Sequence, residues 1–226
     1  MNKIFYLFGV CLAVLLAGCG ATPQPKIDLS DAFVNNTEQK VGVYIEYDKA
    51  TTHIYGASCL LCYGVAAAAN SSLTSHLEEV PTDDVAKFGQ LVVDKLSAQG
   101  KQAKIVNLPK KISKLSKFKG ELGYPKRDFR NLKKNLDVDT LIVIEIQEHG
   151  AHRFYNAYVP TSDPIGSVTG YVYTVDLETN KYLQYERLNY RVNVPGEWDE
   201  PPSFPGVTES YFEAVEKAKE HIQVIF

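Results

Sequence analysis

Cysteine is scarce in this sequence: four residues in 226 are too few to hold together a disulfide-built scaffold of that length. Charge of one sign is also lacking. Twenty-four Lys and Arg stand against 27 Asp and Glu, and a net charge of -3 excludes a dedicated nucleic-acid binder, whose domain is ordinarily strongly basic. The apolar run from Ile4 to Leu16, broken only by Gly9, spans 13 residues, too few to cross a bilayer of about 30 Å as a permanent helix. Glycine patterns that cradle phosphates or dinucleotides are missing, and so is the serine-hydrolase elbow G-x-S-x-G. Gly166-Ser167-Val168-Thr169-Gly170 carries its serine at the wrong place. No repeat recurs at the 20–50-residue scale. What remains is an average globular composition, 45% hydrophobic and 23% charged with 15 Gly and 11 Pro. It excludes collagen-like, coiled-coil and wholly disordered chains and suits one large domain or two small ones.

Met1-Asn2-Lys3 is a short positive start, and the apolar run that follows matches the core of a signal peptide. The run ends in Leu16-Ala17-Gly18-Cys19. This tetrad resembles the bacterial lipoprotein box, which implies a diacylated Cys19 thiol and removal of residues 1–18 as the signal peptide. Position 20 is Gly, not Asp, so the common inner-membrane retention signal is missing. The resemblance then implies an outer-membrane lipoprotein facing the periplasm. The mature chain would have 208 residues, a charge of -4, and two unlipidated thiols, Cys59 and Cys62. At ~0.8 kcal/mol per buried methylene, several acyl chains hold such a protein to its membrane almost permanently. From Gly20 to Lys40 the chain has two prolines and little periodicity, so residues 19–40 read as a lipidated cysteine and flexible tether. Fully extended, those residues reach at most about 70 Å. No cofactor is expected beyond the covalent lipid.

Residues 41–226 read as a single α/β periplasmic domain. Val41–Tyr47 alternates as a strand does; Thr82-Asp83-Asp84 starts a helix reaching about Gln99, with Gly100 just beyond its end. Gln102–Leu108 reads as a short strand and residues 126–136 as a helix. Thr140–Ile146 is a near-continuous branched run, which suggests burial on both faces at the centre of a sheet. Ser167–Leu177 and Lys181–Val194 read as a hairpin carrying Tyr171, Tyr173, Tyr182, Tyr185 and Tyr190. A final helix from Thr208 to about Phe226 has Ser210 and Glu213 spaced as a capping box. The expected fold is therefore α/β (α+β): one mixed sheet of about five strands with helices packed on it, in the order β-(insert)-α-β-α-β-β-β-α.

That order of elements resembles the small α/β domains of several periplasmic proteins: the N-terminal domain of the Tol propeller protein, the lipoprotein activators of penicillin-binding proteins, and the curli secretion lipoprotein. The stretch Gly56-Ala57-Ser58-Cys59-Leu60-Leu61-Cys62 through Asn70-Ser71-Ser72-Leu73 is similar to a group of uncharacterised bacterial lipoproteins. Both resemblances imply a binding or assembly module and neither transfers a catalytic residue.

Cys59-Leu60-Leu61-Cys62 has the spacing of a disulfide-exchange motif at a helix start, with Tyr63–Ala69 able to supply the helix dipole. Its two-leucine spacer and missing βαβ context favour a local structural disulfide or buried thiols over redox chemistry, and zinc lacks two further ligands. The surrounding insert, Ala57–Ala69, is apolar nearly all round, so it either packs into the core or meets a partner or lipid; core packing is the favoured expectation. Glu148-His149-Gly150-Ala151-His152 reads as a loop after the central strand, where His53 or His76 could complete a metal site, though solvated loop histidines are commoner. No metal site is assigned.

Charge is distributed unevenly. Between Lys101 and Lys134 lie twelve Lys or Arg and two acids. Lys110, Lys111, Lys114, Lys117, Lys119, Lys126, Arg127 and Arg130 form a candidate surface for lipid phosphates, lipopolysaccharide, glycan carboxylates or an acidic envelope protein. The acidic, proline-stiffened loop 195–206 offers Trp198 and Phe204 as candidate partner anchors, or as covers folded back on the sheet edge. Three readings follow. The first is a non-catalytic, membrane-anchored binding or assembly module of the envelope, with no nucleic-acid partner. The second is a self-associating, membrane-contacting or pore-related lipoprotein using residues 57–69, for which an oligomer is expected. The third is a thiol-disulfide or metal protein built on Cys59 and Cys62.

Overall fold

A computed structural model describes residues 22–226. The signal peptide and Cys19 lie outside the described residues. In chain order the elements are α1 (Asp31–Asn35), β1 (Lys40–Glu46), β2 (Thr51–Tyr55), α2 (Leu60–Ala69), α3 (Ser71–Glu79), α4 (Asp83–Ala86), α5 (Phe88–Ala98) and β3 (Gln102–Ile105). After a 3-10 turn at Ile112–Lys114 come α6 (Leu132–Leu136), β4 (Thr140–Asn156), β5 (Val159–Pro160), β6 (Ile165–Asp176), β7 (Tyr182–Asn193) and α7 (Pro205–Ile225).

One mixed sheet of seven strands runs β3-β1-β4-β6-β7, with β2 and β5 also on β4. The branched run expected at its centre is there, but β4 does not stop at Ile146. It continues to Asn156, so Glu148, His149 and His152 lie on a strand and not on a loop. The extension is possible because a second strand covers its edge. β1 pairs with Thr140–Glu145, the chain breaks stride over 47–50, and β2 then pairs in the same parallel direction with Gly150–Phe154. Gly150 makes this junction possible: φ is +119°, and a Cβ there would lie 2.3 Å from the Thr51 carbonyl oxygen.

Alternation along the strands assigns the faces. Val41, Val43, Ile142, Ile144, Val168, Val172 and Leu188 point to one side and form a core with α3, α5 and α7. Gly166 lets α7 press directly on the sheet, since a Cβ there would meet Ser210 backbone at 2.2 Å. Leu141, Val143, Tyr173 and Val175 point to the other side, where segment 106–138 covers them with Val106, Ile112, Leu115, Phe129 and Leu132.

Several sequence expectations shift. The expected helix 126–136 is helical only from Leu132, because the preceding backbone pairs with the covering loop instead: Phe118 N donates to Lys126 O and Asp128 N to Ser116 O. The final helix starts at Pro205, where a residue without a free N–H fits the first turn. Ser210 is therefore inside it, its Oγ donating to Val207 O, and is not a cap. The helix expected over 82–99 is divided at Lys87 into α4 and α5.

The largest correction concerns the amino-terminal segment. Residues expected to be a free tether are packed: Ile27 bridges to Tyr185, Ser30 N donates to Leu183 O, and Phe33 is 1% exposed. Lys101, the first of the twelve bases in the stretch 101–134, is instead buried beneath α1. Its ammonium donates to the carbonyls of Phe33, Val34 and Asn36, which a short helix otherwise leaves without partners. The folded body thus begins well before residue 41.

Candidate functional site

On the second face of the sheet, segment 106–138 covers only the half nearest the start of β4. At the margin of that cover lies a cleft of about 920 Å³, walled by Gly120–Arg127 and by Thr22–Gln24, and floored by the sheet. Gln24 Oε1 accepts from Gly123 N at 2.8 Å, which fixes the amino-terminal segment to the cleft wall.

The floor is built from tyrosines. Tyr171 and Tyr185 stack with ring centroids 5.4 Å apart, Tyr182 lies 5.0 Å from Tyr185, and Tyr173 sits beneath them, edge-on to Phe129 at 6.3 Å. Period-two alternation places Tyr171 and Tyr173 on one face, and the antiparallel register brings Tyr185 opposite Tyr173. Tyr182 has the wrong parity to join them. A register shift between Thr174 and Val175 turns it onto the same face.

Carboxylates accompany the phenols in a row along the sheet. Tyr44 donates to Glu46 at 3.4 Å, Tyr173 to Glu145 at 3.1 Å, and Tyr55 to Glu148. A second irregularity, between Ile146 and Glu148, puts Glu145 and Glu148 on a common face. Burial, aided by the neighbouring carboxylates, pushes Tyr44 and Tyr55 up to about 12. Burial and Tyr171 raise Tyr185 to about 12, and Tyr173 and Tyr182 are raised further. The floor therefore offers protonated phenols, the Glu145 carboxylate and the half-buried rings of Tyr171, Tyr182 and Tyr185, while Arg187, Lys126 and Arg127 stand at the wall and rim.

Beyond the cleft the same face carries a tighter cluster. His53 on β2 and His152 on β4 are register partners, with rings 5.4 Å apart, and His152 Nε2 is 3.2 Å from Glu148. His152 is fully buried and neither of its ring nitrogens completes a hydrogen bond, Nε2 being near Glu148 without the geometry of one. Burial first, then His53, pushes it down to about 4. Burial opposes ionisation of Glu148, yet donation from Tyr55 and the fields of His53 and His152 hold it below the usual carboxylate range. His149 faces the opposite way. It spans the β1–β2 break, its Nε2 2.7 Å from the Asp48 carbonyl and its Nδ1 2.8 Å from Tyr211 hydroxyl on α7. The sheet itself thus separates the His149 ring from those of His53 and His152. Among the described residues no group of three or more His, Cys, Asp or Glu is placed to hold a metal ion.

The remaining candidates are placed as follows. Lys110, Lys111, Lys114, Lys117, Lys119 and Lys126 are exposed, and the apolar residues interleaved with them, Ile112 and Leu115, are buried in the covering loop's core. Arg130 is engaged by Asp128 at 2.7 Å, and Arg127 donates to Leu115 O, so these two serve the loop's own structure. Trp198 and Phe204 stack on each other at 6.1 Å and pack against the helical-side core, with Arg153 over the indole at 4.3 Å. They fold back on the body instead of projecting as free anchors. Cys59 and Cys62 are joined as a disulfide at the start of α2, their Cα atoms 4.9 Å apart. Cys59 is the N-cap residue, Sγ accepting from Cys62 N at 2.9 Å. The insert favoured as core is largely exposed: Leu60, Leu61, Tyr63 and Val65 face solvent, and only Cys62 and Ala66 of α2 are buried.

No protein-family model matches the chain, and no curated protein matches it. Among solved structures, the PelC dodecamer from Paraburkholderia phytofirmans is 7% identical over 88% of this chain and 94% of its own, with a TM-score of 0.30. Lipoprotein GNA1162 from Neisseria meningitidis is 12% identical over 80% of this chain and 99% of its own, with a TM-score of 0.27. At TM-scores this low the likenesses carry no argument about function.

Proposed function

We propose that the chain is an outer-membrane-anchored lipoprotein, attached through Cys19, that acts in the periplasm by binding without catalysis. The observation that carries the binding reading is the tyrosine-floored cleft of about 920 Å³, a size suited to a small ligand or a few units of a polymer. Half-buried tyrosine rings adjoin neutral phenol donors and the Glu145 carboxylate there, a surface complementary to saccharide rings, which have apolar faces and hydroxyl edges. Glu145 on the floor and Glu121 in the wall are opposed by Lys126, Arg127 and Arg187, so the cleft itself has no strong field that would select a polyanion. Anionic lipid headgroups match instead the exposed lysines of the covering loop, which adjoins Thr22–Gln24, the described residues nearest to Cys19.

Calorimetric titration of the detergent-solubilised full chain with an N-acetylated glycan oligomer tests the cleft. Binding is expected, with a loss of about tenfold or more in Tyr171→Ala and Tyr185→Ala at nearly unchanged melting temperature. No heat of binding, or equal affinity in both variants, would remove the cleft from the account. The redox reading draws less support, because the cysteines cap and staple a helix whose Cys62 is buried.

A further inference from the structure

One wall of the tyrosine cleft is braced, and its tip is left in water. Gly123 N donates to Gln24 Oε1 at 2.8 Å, and Gly123 O accepts from Tyr182 N at 2.9 Å. The turn Gly120–Tyr124 is thus tied both to the amino-terminal segment and to the start of β7. Phe118 and Tyr124 lie with ring centroids 5.8 Å apart, and Arg130, held by Asp128, sits over the Phe118 ring at 5.2 Å. On this fixed turn Leu122 lines the cleft and is 53% exposed.

A single leucine in solvent is ordinary. This one has cations on both sides of it along the wall. Lys117 bridges to Arg127, Lys119 precedes the turn, and Lys126 lines the cleft itself. All three lysines are exposed, and among the described residues none has an acidic partner, whereas Lys111 and Arg130 nearby are paired with Asp48 and Asp128. From Lys117 to Arg127 the chain carries four cations and one acid, Glu121. An apolar tip within a basic rim suits an anionic bilayer, the leucine entering the headgroup layer and the lysines facing phosphates. The course of the chain brings a bilayer to this place. Thr22, on the other wall of the same cleft, follows Cys19 by three residues, at most about 11 Å of chain.

We infer that the cleft opens toward the membrane and takes the headgroup of an anionic glycolipid, its sugar ring on the tyrosine floor and its phosphate on Lys117, Lys119 and Lys126 at the rim. The inference rests on the anchored, saccharide-binding reading above and narrows its ligand to a saccharide carried by a lipid. The two parts of the site call for one molecule that spans them. Phenols and Glu145 on the floor serve hydroxyl groups, while the unpaired lysines are confined to wall and rim. A plain phospholipid would satisfy the rim and leave the floor unused. A free neutral glycan would fill the floor and leave the rim unused.

The chain of residues 19–226 with Cys19→Ala contains every described residue and lets this surface act without its anchor. Its binding is measured by sedimentation with three kinds of phosphatidylcholine vesicle. One is doped with lipid A, a phosphorylated disaccharide on acyl chains; one with phosphatidylglycerol at matched surface charge; one with the neutral digalactosyl diacylglycerol. Binding to lipid A vesicles is expected to be about tenfold or more tighter than to either of the others. Tyr185→Ala is expected to reduce it to the phosphatidylglycerol level, and Lys117→Glu with Lys119→Glu to the level of the neutral glycolipid. Because Cys59 and Cys62 are disulfide-bonded, Glu121→Cys adds a single free thiol to this chain. A dye attached there is expected to be quenched by lipid-borne quenchers, and one on Lys217→Cys of α7, across the sheet, to stay bright. No preference for lipid A over either comparison vesicle, or an unquenched dye at position 121 on bound chain, would overturn the inference. A free N-acetylated glycan oligomer separates this result from the reading beneath it. If the oligomer binds and lipid A gains nothing over phosphatidylglycerol, only the lipid-borne ligand fails; if neither binds through Tyr185, the saccharide cleft fails with it.

Discussion

His152 sits fully buried on β4 with burial holding it down to about 4, and His149 is lowered by burial as well. Both favour the neutral ring in the folded state, so the unfolded chain takes up protons first as pH falls through the ordinary histidine range. Stability is therefore fully present above about pH 6.5 and declines toward pH 4, by on the order of 1–2 kcal/mol at pH 5 for His152 alone. Denaturant titrations at pH 7 and pH 5 are expected to show this decline, and His152→Gln to flatten it; an equal slope in the variant would contradict the burial argument. On the cleft floor, Tyr173→Phe removes the donor to Glu145 and is expected to cost about 1–2 kcal/mol in the same assay. Some of this was legible. The tyrosines stand out on both strands of the sequence, and their odd spacing predicts a shared face for Tyr171 and Tyr173. The two irregularities that add Tyr182 and align Glu145 with Glu148 leave no mark in the sequence. A bulge depends on what the neighbouring strand does and not on local residue preference.

At the scale of elements, the run Thr140–Ile146 announces a central strand because branched apolar residues on both faces need cover on both sides. Its continuation through Glu148-His149-Gly150-Ala151-His152 reads as a loop because polar residues and glycine interrupt the pattern. Pairing with β6 on one edge and with β2 on the other makes that stretch a strand. The amino-terminal segment was illegible for a similar reason. Its anchor is a lysine distant in sequence, and Lys101 in a run of basic residues looks like one more solvated charge. Lys101→Met is expected to cost on the order of 2–3 kcal/mol, since three carbonyls lose a charged donor. Limited proteolysis should then cut within 27–36 at concentrations of protease that leave the parent intact. An equally protected segment would show that Phe33 and the backbone pairing to Leu183 and Tyr185 hold it without the lysine. The disulfide closes only a short loop, so Cys59→Ser with Cys62→Ser is expected to cost about 1–2 kcal/mol and to fray α2, read as faster amide exchange over 60–66.

Taken whole, the molecule is a long strand ladder with an apolar helix at one end, and the described amino-terminal residues run along β7 to the wall of the tyrosine cleft. Packing of the segment from Gln24 onward shortens the expected leash of about 70 Å to five extended residues, about 17 Å between Cys19 and Gln24. On the proposed anchoring, the covering loop with Lys110, Lys111, Lys114 and Lys117 then lies within reach of headgroups, and near-surface lysines contribute about 1 kcal/mol each. Charge reversal at these four positions in a Cys19→Ala chain is expected to weaken binding to anionic vesicles more than tenfold at low salt, with the difference vanishing at high salt. Unchanged vesicle binding would leave the basic segment as an ordinary solvated surface. Location, short leash and binding role all depend on what stands at the mature amino terminus, so mass spectrometry of the native product tests the account most directly. The account predicts a 208-residue chain beginning at an acylated Cys19; an intact Met1, or a Cys19 bearing no lipid, would contradict it.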